Sequence, residues 1–203
     1  METLAADLNL VADKLHDSRA EASVRFAADI QEAIRSLELQ YAVFGVDVTE
    51  ENLSATGKDT VAFLFSASGK NPVDVAKCAS GGEMSRIMLA LKQMRARYTN
   101  MPTMIFDEID TGVSGSVADK MGSMICNMGK YMQVFAITHL PQVAAKGEAH
   151  YLVSKDIDPV TSVAVSKIKR LSDQQRVLEL ARMLSGSSLT DAAIANAKSL
   201  LSI

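Results

Sequence analysis

A short apolar run that ends in two carboxylates restricts the fold more than any other stretch of the chain. Thr103-Met104-Ile105-Phe106 is followed directly by Asp107 and Glu108, and Pro102 closes the segment before it. A run without polar alternation predicts a strand buried on both faces of a parallel sheet. In open α/β sheets ligands gather at the carboxyl ends of the strands, so an acidic pair there is placed for chemistry. One acid can hold a hydrated Mg²⁺ while its neighbour orients or deprotonates an attacking water. An ordinary strand running into a solvated turn has the same pattern, so the rest of the chain has to decide.

Two further stretches bear on that choice. Ser80-Gly81-Gly82-Glu83 leads straight into the helical run from Met84 to Met94. A helix start leaves its first amides without partners, and those amides with the helix dipole suit a phosphate. Ser80 and Glu83 also have the spacing of a capping box, but a cap does not ask for two consecutive glycines. The stripe Met84, Ile87, Met88, Leu91 and Met94 reads as the buried side of this helix. Gln133 to Thr138 is a second short apolar strand of the buried type, and His139 stands at its end as Glu108 does at the end of the first. A lone histidine is more often structural, whereas this one falls on the same sheet rim as the acids.

The flanking sequence has a simple order. From Met1 to about Leu39 there is no Gly or Pro, and Leu4, Leu8, Val11 and Leu15 follow heptad-like spacing, so either an amphipathic helix or a coiled-coil end fits. Tyr41 to Val48 and Thr60 to Ser66 read as antiparallel strands joined by a polar segment from Thr49 to Asp59, and Ser66 to Lys77 reads as a loop. Ile109 to Gly115 is a tight polar loop, with Ser114 or Ser116 capping a helix that ends near Met128 and Gly129. Pro141 opens another helix. His150 to Lys155 and Ser162 to Arg170 form a hairpin around Asp156 to Pro159. Its cluster Lys167, Lys169 and Arg170 reads as a solvated edge. Ser172 with Gln175 caps one helix, stopped by Gly186, and Thr190 caps the last, Asp191 to Leu201.

With 203 residues, 48% hydrophobic and 22% charged, the chain suits one sizeable core with an appendage. A net charge of −3 supplies no basic field for nucleic acid or anionic membrane. Two distant cysteines, Cys78 and Cys126, suggest neither a disulfide framework nor a zinc site, which favours a reducing cytoplasm. No apolar run reaches the ~20 residues of a membrane span. Met1 opens directly into helical sequence, as a piece of a longer protein would.

Taken together, ASGGEMSRIMLALK, IFDEIDTGVSG and ITHLPQVAA resemble the ABC-type ATPase heads of the SMC-like group, and within it the branch that acts in bacterial DNA repair. The resemblance spans about Leu64 to Ala145 at motif level. It implies an α/β fold: the C-terminal half of a P-loop NTPase head of ABC/SMC type, a mainly parallel sheet flanked by helices, with extra strands and an N-terminal coiled-coil helix. Residues 1–39 would be the end of the coiled-coil arm and residues 40–203 the C-terminal lobe.

By the same resemblance Ser80, Gly81 and Gly82, with Glu83, would form the signature motif that contacts the γ-phosphate of ATP held by the opposite subunit. Asp107 would be the Walker B acid acting on Mg²⁺ through water, and Glu108 the general base or water-orienting residue. Asp110 would be the D-loop acid near the dimer interface, and His139 the switch histidine that senses the γ-phosphate. Phosphoryl transfer needs such positioned charge. Ala79 and Glu83 depart from the transporter-type LSGGQ, and Glu83 favours the SMC-like branch.

No G-x-x-x-x-G-K-[ST] phosphate loop occurs in the sequence. In the resembled family that loop belongs to an N-terminal half that precedes the coiled coil. This chain would therefore need that half as partner, would hydrolyse ATP poorly or not at all alone, and would form a homodimer through heads that sandwich ATP. DNA binding, a role in double-strand break repair and recombination, and a cytoplasmic, nucleoid-associated location follow from the resemblance alone. The alternatives are another SMC-like chromosome or repair ATPase, a fragment of a transporter nucleotide-binding subunit, and a dimerisation module without hydrolysis.

Overall fold

A computed structural model describes residues 2–78, 80–157, 164–186 and 189–202. Ala79 and the turn expected around Pro159, with Ser162, lie outside the described residues. The chain divides into two compact units, Met1–Asn100 and Met101–Ile203.

The first unit begins with one long helix, α1 (Glu2–Ser36), uninterrupted because no Gly or Pro falls within it. Strands β1 (Val43–Ser54) and β2 (Gly57–Ser66) pair antiparallel, and β3 (Val73–Asp74) adds to β2 through Leu64 and Phe65. A one-turn helix, α2 (Val75–Cys78), and the longer α3 (Gly81–Thr99) complete the unit. α1 lies against β1, β2 and α3. Its last third supplies core residues Ile30, Ala33 and Ile34, and Leu37 just after the helix is buried with them, while Phe63 meets both Phe26 and Phe44 at 5.9 Å between ring centres. The heptad-spaced Leu4, Leu8 and Val11 are instead 74%, 54% and 61% exposed.

The polar segment from Thr49 to Asp59 is not a connection. It continues both strands to a two-residue turn at Ala55-Thr56. Its charged residues are held by α1: Arg19 Nη1 donates to Asp59 Oδ2 at 2.8 Å, His16 Nδ1 lies 2.6 Å from Asp59 Oδ1, and Lys58 Nζ donates to Asp13 at 2.8 Å. The expected loop from Ser66 to Lys77 likewise contains β3 and α2, since backbone pairing with β2 is available there. On α3, Ile87 and Met94 are buried as the stripe predicts, together with Leu89, Ala90 and Ala96, whereas Met88 is 40% exposed. Ile87, Ala90 and Met94 share one side of the helix and Leu89 and Ala96 the opposite side, so α3 is covered on two sides rather than along a single stripe.

The second unit contains β4 (Thr103–Asp107), α4 (Gly115–Met128), β5 (Gln133–Ile137), α5 (Pro141–Ala145), β6 (Tyr151–Ile157), β7 (Ala164–Arg170), α6 (Asp173–Ser185) and α7 (Asp191–Leu201). β4 and β5 pair parallel from Thr103↔Gln133 to Asp107↔Ile137. Ser114 is the N-cap residue of α4, and the helix ends at Gly129 as expected. α4 and α5 approach so closely at Gly122 that a Cβ there would stand 3.1 Å from Val143 Cα, a contact that calls for glycine. β6 and β7 form the expected antiparallel hairpin, with β7 exposed along its length. Ala145, Val177, Leu180, Ala181, Ala193 and Ala197 make a separate small core under α6 and α7. The caps at Ser172 and Thr190 form as the sequence predicts.

Among the described residues β4–β5 is the one parallel ladder; the other pairings are antiparallel, because short local connections leave no room for a crossover. One expectation about the sheet changes: β4 and β5 are not buried on both faces. Met104 and Phe106 face the core, but Ile105, Phe135 and Ile137 are 61%, 46% and 56% exposed. A parallel pair ordinarily has both faces covered, and here one apolar face is bare.

Candidate functional site

In the first unit, Ser80 is the extended N-cap residue of α3 (φ −63°, ψ 155°), and its backbone N–H donates to the Glu83 carboxylate at 3.2 Å. Glu83 thus serves as the capping-box partner. Gly81 has neither a positive φ nor any atom within 4 Å of an added Cβ. The fold itself gives no reason for glycine there. An open face beside the first amides of a helix leaves room for close approach of an anion.

In the second unit, the end of β4 carries Asp107 and Glu108, both exposed. Glu108 takes φ +50°, a left-handed conformation that costs a non-glycine residue on the order of 1 kcal/mol or more. Thr111 fixes it, donating from its backbone N–H and from Oγ1 (2.9 Å) to the Glu108 carbonyl. Ile109 and Val113 are buried and draw the loop inward. Asp110 lies between them and is 1% exposed. Its Oδ2 accepts from the Thr138 hydroxyl and from the His139 backbone N–H at 3.2 Å, which ties the loop after β4 to the end of β5. His139 itself is 73% exposed at the side chain, with Nδ1 3.5 Å from Asp110 Oδ1.

No protein-family model matches the chain. It is 36% identical to the DNA repair protein RecN of Vibrio cholerae, over 99% of this chain and 38% of that protein. The corresponding figures are 38%, 97% and 35% for the DNA repair protein RecN of Haemophilus influenzae, and 37%, 98% and 37% for that of Streptomyces coelicolor. Along almost its whole length the chain is similar to these RecN proteins. It spans little more than a third of the length of the curated relatives it matches. Among solved structures, the Smc head domain with a coiled coil and joint derived from Pyrococcus yayanosii superposes with a TM-score of 0.69 at 18% identity, covering 91% of this chain and 34% of that one. A chain from a study of ATP-driven dimerization and DNA stimulated activation of SMC ATPases gives 0.60 at 17%, over 85% of this chain and 99% of that one. The fold is therefore that of part of an SMC-type head.

The chain brings four of the expected residues, Asp107, Glu108, Asp110 and His139, to one rim where the carboxyl ends of β4 and β5 lie side by side. Ser80 to Glu83 stand in the other unit. Asp110 does not present itself to a ligand, since its carboxylate is turned inward onto Thr138 and His139. Thr138 has no role in the sequence reading, and the signal for one is slight: a hydroxyl immediately before the strand-end histidine. Among the described residues no group of three or more His, Cys, Asp or Glu is gathered to cage a metal ion. The exposed oxygens of Asp107 and Glu108 fit Mg²⁺ in another way, as one or two carboxylates beside an ion whose other ligands are water and phosphate. Among the described residues, no helix is long and apolar enough to cross a membrane.

Proposed function

We propose that this chain is the C-terminal lobe of an SMC-like ATPase head acting in DNA double-strand break repair and recombination. The observation that carries the reading is the rim itself: two open carboxylates at the end of β4, one on a left-handed residue, beside an open histidine at the end of β5. Similarity to RecN relatives along almost the whole chain supports the biological setting. In this account Asp107 holds Mg²⁺ through water, Glu108 orients and deprotonates the attacking water, and His139 meets the γ-phosphate. Ser80, Gly81 and Gly82 contact ATP bound to a second head, with Glu83 keeping the helix start in shape. Mg²⁺ supplies charge neutralisation of the phosphates when bound, and the chain's residues position water and phosphate around it.

The phosphate loop comes from an N-terminal half of the same protein, which also covers the bare apolar face of Ile105, Phe135 and Ile137. Exposed Leu4, Leu8 and Val11 support residues 1–39 as the end of a coiled-coil arm, with residues 40–203 as the lobe. Heads then pair as a homodimer around ATP, in the cytoplasm and on DNA. A transporter subunit fits less well, given Glu83 and the long α1. The test is ATP hydrolysis by this chain combined with a polypeptide carrying the phosphate loop. Turnover by the chain alone, abolished by Glu108→Gln, would overturn the composite head.

A further inference from the structure

Among the described residues Asp110 is a charged residue buried whole, backbone and side chain, and neither fold nor proposed chemistry explains all of its contacts. An isolated carboxylate in such a place is costly unless each oxygen finds donors. Oδ2 has two, the Thr138 hydroxyl and the His139 backbone N–H. Oδ1 is buried without a hydrogen-bond partner, and the nearest donor-capable atom recorded for it is His139 Nδ1 at 3.5 Å. A small rotation of an imidazole that is 73% exposed closes this gap. The Thr138 hydroxyl is itself fixed, because it accepts from the Leu140 backbone N–H at 3.0 Å and so must direct its proton to Asp110.

We infer that Asp110 is a positioning residue: its buried carboxylate holds the His139 imidazole as the Nδ1–H tautomer, leaving Nε2 as the nitrogen that faces the terminal phosphate of the nucleotide. The last clause rests on the proposed ATPase reading; the tautomer does not. The carboxylate works here as a buried acid does behind a catalytic histidine, fixing which ring nitrogen carries the proton and where the other points. It also joins the loop after β4 to the end of β5, so a displacement at Glu108 reaches His139 through two hydrogen bonds.

The chemistry of asparagine makes the inference testable. Asparagine has one acceptor oxygen where aspartate has two. In Asp110→Asn that oxygen has to stay at the Oδ2 position, since both Thr138 and the His139 backbone donate there. The amide NH₂ then faces His139 Nδ1, which is obliged to accept, and the ring changes to the Nε2–H tautomer. The size and shape of the side chain are unchanged.

The experiment is ¹⁵N–¹H correlation across two bonds in the imidazoles of the full 203-residue chain at about pH 8.5, two units above the ordinary histidine value. His139→Gln assigns the His139 signals against those of His16 and His150. The expected result is Nδ1–H at His139 in the unsubstituted chain and Nε2–H in Asp110→Asn. Nε2–H in the unsubstituted chain, or an unchanged tautomer in a folded Asp110→Asn chain, overturns the inference. If the variant does not fold, the unsubstituted spectrum decides by itself. ATP hydrolysis is scored separately: Nδ1–H without hydrolysis in the reconstituted head discards the ATPase reading and keeps the dyad, and hydrolysis with Nε2–H does the reverse.

Discussion

Leu15 and Gly57 meet where the β1–β2 turn is laid on α1: a Cβ built on Gly57 would stand 2.9 Å from Leu15 Cδ2 and 3.1 Å from Arg19 Nη1. Gly57 also has φ +102°, which side-chain-bearing residues rarely adopt. Both constraints act at the point where the helix is braced by the strands. Gly57→Val is expected to destabilise the first unit by roughly 2–3 kcal/mol, from a strained backbone and an overfilled contact. Denaturant unfolding followed by circular dichroism measures it, and a midpoint equal to that of the unsubstituted chain would contradict the close contact.

Beside that contact, Asp59 is gripped by α1. Arg19 first, and then His16, hold its carboxyl below the usual carboxylate range. A lowered folded value means the ionised form contributes stability above the ordinary aspartate value of about 3.9, and that contribution is lost as pH falls through the folded value. The hairpin is therefore expected to stay on α1 at neutral pH and to loosen in acid. Asp59→Asn should lower the neutral-pH unfolding midpoint while flattening its decline below about pH 4. A variant with the parent's full acid limb would show that Asp59 is not the responsible group.

His150 behaves in the opposite chemical sense within the second unit. Burial, and secondarily the Arg176 guanidinium, push it down from its ordinary value, against a smaller opposing pull from Glu179. Its Nδ1 is buried without a hydrogen-bond partner among the described residues. The unfolded chain takes up a proton at about pH 6.5 while the folded chain resists it, so stability falls as pH drops below that point and levels off below the folded value. His150→Gln should lose less stability than the parent between about pH 7 and pH 5. Equal losses would place the sensitive group elsewhere.

How much of this was legible in the sequence depended on how local each signal is. Ser172 with Gln175, Thr190 and the Ser80–Glu83 pair announce helix starts because a cap is made within four residues. The polar half of the β1–β2 ladder reads as a connection in the sequence because its anchors, His16 and Arg19, lie 43 and 40 residues from Asp59. Of the candidate site, the strand-end placement of Asp107, Glu108 and His139 was readable from apolar runs that stop at polar residues. The inward turn of Asp110 was not, because it depends on Thr138, 28 residues further on. Apolar β4 and β5 pointed to two covered faces, and this chain covers one of them.

The central claim, that the rim of Asp107, Glu108 and His139 is half of a composite ATPase site, is tested most directly by one hydrolysis measurement. ATP turnover is followed for this chain, for a polypeptide carrying the phosphate loop and the opposing coiled-coil strand, and for their mixture. Turnover is expected in the mixture alone, falling by about 10²-fold or more with Glu108→Gln, the usual scale for loss of a general base. Turnover by this chain alone, or a mixture whose rate is unmoved by Glu108→Gln, would contradict it.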